Sequence, residues 1–209
     1  KQQQCAWGVA PFDMPTPYNR RAIELHDVVN LALIPVVALG TILGILGKVD
    51  PVLVSQGFLL YVLIDFVWLT IQPEAVPSLP NVILAHHVVT VALLYFPLRY
   101  NELGIYTCID GLCEINTFFL IARRQWPKLR GAMDWLYWIT FIPSRTICYP
   151  VMLYEFWHVF EDRVERGVAQ RWEQYTCCGC QASLILFNAA LLYLGVKKKF
   201  AGSKKQKGA

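Results

Sequence analysis

The stretch VVNLALIPVVALGTILGILG, Val28–Gly47, runs for 20 residues without a charged side chain. A helix needs about 20 apolar residues to cross the hydrocarbon core of a bilayer. Five more apolar blocks follow it: Val52–Ile71, Val82–Leu98, Leu103–Ala122, Trp135–Trp157 and Tyr175–Val196. The last of them is also free of charge. The third is the shortest and contains His86 and His87, so a buried core helix is its alternative reading; the distribution of charge between the blocks favours a span. Composition agrees with membrane residence. The chain is 56% hydrophobic and 16% charged, against about a quarter charged in ordinary soluble domains.

The loops between the blocks give the orientation. With six spans, one face holds Lys1, Arg20, Arg21, the four basic residues within 123–130 and the six lysines within 197–207. The opposite face holds Lys48, Arg99, Arg163, Arg166 and Arg171. Thirteen basic residues stand against five, and short loops rich in Lys and Arg stay cytosolic. Removing the third span would set the 123–130 cluster opposite the basic tail. The expected fold class is therefore an all-α integral membrane protein, a bundle of six transmembrane helices with cytosolic N- and C-termini. Residues 1–27 read as a polar N-terminal segment, 28–196 as the transmembrane domain and 197–209 as a basic cytosolic tail. The net charge of +4 reflects topology and contact with anionic lipid headgroups, and nucleic acid is not an expected partner.

Charged and polar groups inside spans are costly to keep there, and each is a candidate functional residue. Asp65, His86, His87, Asp110, Glu114 and Arg145 are of this kind. At ~1.5 Å rise per residue, Asp65 lies about 9 Å, the histidines about 6–8 Å and Glu114 about 12 Å from the cytosolic ends of their spans. These four fall in one layer. Asp110 and Glu114 are four apart and share a helical face, whereas His86 and His87 diverge by about 100°. Adjacent histidines do not easily chelate one metal, so no metal site is expected; the favoured arrangement has one ring facing a cavity and the other paired with a neighbouring helix. Hydrogen bonding across helices for packing alone is the competing reading for each residue. Pro143 and Pro150 should kink the fifth block and free carbonyls, which Arg145, lying between them, can reach; Asp110 is its other candidate partner. The tryptophans fall mostly near span ends, as in an interfacial belt. Cys177, Cys178 and Cys180 read as small packing residues at a helix end, with a lumenal disulfide as the alternative.

Three segments, LAHHVVTVALLYFP (84–97), DGLCEINTFFLIARRQW (110–126) and FIPSR (141–145), together resemble the TLC-domain family of endoplasmic reticulum membrane proteins, which includes the ceramide synthases and several lipid-homeostasis proteins. The resemblance implies a TLC-like domain over 28–196 and a role in membrane lipids at the endoplasmic reticulum. In the ceramide-synthase branch the paired histidines look like catalytic groups for acyl transfer from acyl-CoA, which places that role on His86 and His87. That branch also carries an acidic motif opening with a His-Asp pair. Here the stretch reads IDGLCE (109–114), without the histidine, which moves the chain toward the lipid-regulating members.

Three functions follow as expectations. The first is membrane lipid homeostasis, meaning regulation of phospholipid or sphingolipid composition or of membrane fluidity. The second is a lipid acyltransferase; the third is a cargo-binding or translocation-associated membrane protein. For the enzyme reading, the catalytic candidates are His86 and His87 with Glu114 or Asp65 as the orienting carboxylate. Thr90, Asp110, Arg145, Arg123 and Arg124 are the substrate-binding candidates, the last two through the phosphates of acyl-CoA. No permanently bound cofactor is expected. Acyl-CoA enters only as a substrate, and membrane lipids are the partners.

Overall fold

The computed structural model describes residues 17–76 and 79–206. Eight α-helices carry the described chain: α1 Pro17–Ile45, α2 Pro51–Ile71, α3 Pro80–Arg99, α4 Gly104–Asp110, α5 Cys113–Gln125, α6 Arg130–Phe141, α7 Cys148–Glu165 and α8 Arg171–Gln206. A π-helical turn, Ile142–Ile147, joins α6 to α7. No strand occurs among the described residues. The helices form six rods, because α4 and α5 run on from one another and α6, the π turn and α7 make one continuous helical run.

Five rods are long and apolar enough to span a membrane: Arg20–Ile45, Pro51–Ile71, Pro80–Arg99, Asn101–Gln125 and Arg171–Leu194. The rod holding Trp135–Trp157 is helical throughout but falls outside that set. Within that stretch Arg145, Glu155, Pro143, Pro150 and the tyrosines Tyr137, Tyr149 and Tyr154 dilute the apolar run. An all-α multi-pass membrane architecture is thus observed, with the exterior of the rods exposing Leu39, Ile71, Trp135 and Leu186, each more than half accessible. In water such a surface would drive aggregation; against lipid tails it costs nothing.

Several boundaries differ from the apolar blocks; helix α8 runs on past Val196 to Gln206, so the described part of the basic tail is helical. Helix α1 begins at Pro17, so the last part of the polar segment 1–27 is already helical, and the spanning rod starts at Arg20, ahead of the apolar block. The fourth block is broken at Gly111–Leu112. There the backbone bonds shorten, with Leu112 N–H donating to Ile109 O and Glu114 N–H to Gly111 O, an i→i+3 pattern that tightens the helix.

The rods close into a ring: α1 packs on α2, α2 on α3, α3 on α8, α8 on α7, α6 on α5 and α5 on α1, with α4 also against α2. Six rods return the chain to the end where it started. That end has Arg20 and Arg21, the α5–α6 junction and Lys197, so it carries the basic excess. Arg124 and Gln125 reach across it to Asp27 of α1, at 2.6 and 2.8 Å. At the opposite end Glu173, fully buried, accepts from Tyr100, Arg99 and the Gln170 amide. Each end is therefore stitched by a buried carboxylate.

The α1–α4 approach depends on small residues. A Cβ on Gly111 would lie 2.5 Å from the Thr41 methyl carbon, and one on Gly44 would lie 2.5 Å from the Cys108 sulfur. Overfilling such a contact costs about 1–3 kcal/mol. Gly111→Ala should lower stability by that amount in detergent unfolding, and a variant as stable as the parent would show that α1 does not approach α4 so closely.

Candidate functional site

Asp65 sits on the buried stripe of α2 with Phe58, Val62 and Leu69, spaced so that the face turned into the ring includes one carboxylate. Both of its oxygens are used. Oδ1 lies 2.8 Å from Nε2 of His26 on α1, and Oδ2 lies 2.9 Å from Nε2 of His87 on α3. His87 Nδ1 faces the Ile83 carbonyl at 2.7 Å, so one proton is shared between His87 and Asp65 and the ring is held at both nitrogens. Asn30, one turn beyond His26, donates to the His26 carbonyl and accepts from Tyr61 at 2.9 Å. His26, Asn30, Asp65 and His87 are all buried. A charge-assisted junction of this kind locks α1, α2 and α3 together.

His86 behaves differently. Its ring stacks on Phe187 of α8, with centroids 4.6 Å apart and planes 17° from parallel, and stands edge-on to His87 at 5.7 Å. Among the described residues its buried Nδ1 has no hydrogen-bond partner. Thr90, one turn on, donates to the His86 carbonyl at 2.9 Å.

A second polar group comes from the π turn. The buried Arg145 donates through Nε to Asn116 Oδ1 at 3.1 Å, through Nη1 to Asn188 Oδ1 at 2.9 Å and through Nη2 to Thr117 Oγ1 at 2.7 Å. Asn116 is itself anchored to the Tyr137 carbonyl at 2.7 Å. The extra residue of a π turn offsets the side chains that follow it, and Pro143 inside the turn has no N–H to continue the α pattern.

These groups surround a cavity of about 220 Å³ inside the ring. Its lining changes along the bundle. His26, Asp65, His86, His87, Arg124 and Glu114 lie toward the basic end among apolar neighbours such as Ile83, Leu120 and Leu191, whereas the other end is lined by Leu93, Phe96, Leu103, Tyr106, Phe156 and Leu184. Asp110 lies between, with a long contact of 3.5 Å from Gln181 Nε2.

Of the residues singled out from sequence, Asp65, His86, His87, Glu114, Thr90, Asp110, Arg145 and Arg124 all line this cavity. Arg123 does not. It pairs with Asp134 at 3.0 Å and lies over the Tyr137 ring at 4.7 Å. The carboxylate that orients an imidazole is Asp65; Glu114 makes no hydrogen bond to either histidine, and the Cys113 thiol lies 3.8 Å from its Oε1. Arg145 bonds two asparagines and a threonine in place of Asp110, and the carbonyl it reaches is that of Cys113, at 3.4 Å. Arg123 and Arg124 already have carboxylate partners, Asp134 and Asp27. Cys177 and Cys178 are buried as free thiols.

His26, Asn30, Tyr61, Asn116 and Asn188 are the residues that the apolar blocks did not reveal. His26 precedes Val28 and so lies outside the first apolar block. An i,i+4 pairing with Asn30, on a helix extended back to Pro17, is the signal that would have found it.

A closed ring of helical rods with a lipid-facing exterior and a polar-to-apolar internal cavity defines a multi-pass membrane protein. Residues 51–197, well over half of the chain, match the TLC domain, and the chain belongs to that family. No curated protein and no solved structure matches it significantly. Helix α1, which supplies His26 and Asp27, precedes the matched residues.

Proposed function

We propose that the protein acts in membrane lipid homeostasis at the endoplasmic reticulum, regulating phospholipid or sphingolipid composition by taking a lipid acyl chain into the cavity of the ring. The observation that carries this reading is the graded lining of that cavity. Apolar side chains at one end suit hydrocarbon, and hydrogen-bonding groups at the other suit a polar head. Membership of the TLC-domain family supports the link to lipids.

Lipid analysis of cells lacking the protein, rescued with wild type or with Leu184→Trp, tests it. Leu184 is buried in the apolar half of the lining, so the larger ring fills the space a chain would occupy. The wild type should restore the acyl composition of the phospholipids or sphingolipids, and Leu184→Trp, expressed at equal level, should not. Unchanged lipid composition in the cells lacking the protein would sink the proposal.

One observation favours a second reading, acyl transfer from acyl-CoA. His86 has a buried ring nitrogen without a partner beside the cavity, the state expected of a general base. In that reaction His86 takes the proton of an acceptor amine or hydroxyl as it attacks the thioester carbonyl. The carbon–sulfur bond then breaks, and the coenzyme A thiolate leaves, taking up the proton that His86 had accepted. His87, held by Asp65, positions the neighbouring backbone.

A further inference from the structure

The rod made of α6, the π turn and α7 changes neighbours along its length. From the π turn toward the apolar end of the cavity, α7 packs on α8. From the π turn toward the basic end, α6 leans on α5 instead, and among the described residues α6 and α8 do not pack closely on one another. The cause is local. Pro143 sits inside the π turn, and prolines and π turns are the usual places where a helical run bends. Around the rest of the ring, neighbouring rods are packed: α5 on α1, α1 on α2, α2 on α3 and α3 on α8.

The gap between α6 and α8 has defined edges. Arg145 Nη1 donates to Asn188 Oδ1 at 2.9 Å, which ties the π turn to α8 and closes the inner end. From there one edge runs back from Phe141 to Arg130 and the other forward from Asn188 to Lys197. At the helical rise these edges are about 16 and 14 Å high, and one leaflet supplies half of a hydrocarbon core of about 30 Å. Neither edge carries a charge, from Trp135 to Ser144 or from Asn188 to Val196. Directly behind the gap the cavity is walled by Tyr137 and Phe141 of α6 and by Phe187 and Leu191 of α8. Resting on the reading that the cavity takes an acyl chain, we propose that this gap is the lateral entrance by which the chain of a membrane lipid passes from the leaflet at the basic end into the ring. Uncharged edges of one-leaflet height admit hydrocarbon, while the head group stays at the interface beside Arg130 and Lys197. The open end of the ring is the other path, and there Arg124 and Gln125 cross to Asp27.

The test follows entry into purified full-length protein in lipid nanodiscs. The probe is lysophosphatidylcholine with a photoactivatable group on its chain, added by rapid mixing and photolysed at intervals. Adducts on Leu93 and Phe156, both buried in the cavity wall, report arrival inside, and the wild type should form them. Leu192 lies one turn from Asn188 on the same face of α8 and outside the cavity lining, so a larger side chain there narrows the gap. Leu192→Trp should slow adduct formation by about tenfold or more, the effect of adding ~1.4 kcal/mol to the entry barrier, and reach the wild-type yield. Leu192→Ala should speed it. A change that fills the cavity lowers the yield instead, so an altered rate at constant yield is specific to an entrance. Thermal unfolding identifies a variant that fails to fold; if Leu192→Trp does, Leu192→Ala decides. Wild-type rates in the folded variants overturn the entrance and leave the acyl-chain reading intact. Absence of interior adducts in the wild type overturns both. A dimer in native mass spectrometry of the nanodiscs that Leu192→Trp dissociates would assign the gap to a second copy of the chain and overturn the entrance.

Discussion

Asp65→Ala should destabilise the folded bundle by about 3–5 kcal/mol, the cost of removing one partner from a buried charged pair. The loss is large because the carboxylate serves two helices at once. His26 and His87 each direct Nε2 at one of its oxygens, at 2.8 and 2.9 Å, and truncation leaves both imidazoles facing a void in a low-dielectric interior. Asn30 loses a contact too, at 3.4 Å. Asp65→Asn should cost less, since one oxygen remains, but its amide donors must then face at least one imidazole N–H. Unfolding in mild detergent measures both. A double-mutant cycle between His26 and Asp65 isolates the pairing from the packing change. An Asp65→Ala protein that unfolds with the wild type, or a cycle with no coupling, would show that α1 is held by packing and by Asp27 alone.

The parts of this architecture that were legible in the sequence are those governed by the bilayer. Val28–Gly47 spans because it is almost wholly apolar and carries no charge, and the same argument placed the spans of α2, α3 and α8 to within a few residues. The apolar pattern does not register backbone irregularities. It ran through Gly111–Leu112, where the helix tightens, because both residues are compatible with a span. It flagged Pro143 but not the π turn, whose length depends on how α6 and α7 pack on their neighbours.

Depth along a span was readable from residue counts, and it brought Asp65 and His87 to one level. Rotation between rods was not readable. Whether Arg145 turns toward Asp110 or toward Asn116 and Asn188 depends on the relative phase of three rods. His26 was hidden for a different reason: helix α1 outruns the hydrophobic block, so a residue read as part of a polar lead-in packs against the core.

The paired histidines should separate when each is replaced, and the separation decides between the two readings of the site. His87 is held at both ring nitrogens, by Asp65 and by the Ile83 carbonyl. His87→Ala therefore opens a void and strands half of a buried carboxylate, at a cost of about 2–5 kcal/mol. His86 loses its stacking on Phe187 and its edge contact with His87, each worth about 0.5–1.5 kcal/mol beyond area, and no hydrogen bond at its Nδ1, so His86→Ala should fold better than His87→Ala. If the protein transfers acyl groups, that same variant should lose turnover by roughly 10²–10⁴-fold, the usual contribution of a general base. His86→Gln keeps much of the volume and should be equally inactive. Turnover from acyl-CoA and melting temperature, measured on the same preparations, give both numbers. An active wild type with an inactive, stable His86→Ala protein supports catalysis at this ring. A stable His86→Ala protein with wild-type turnover removes the base from the mechanism, and the unpartnered imidazole is then a lining group of the lipid cavity.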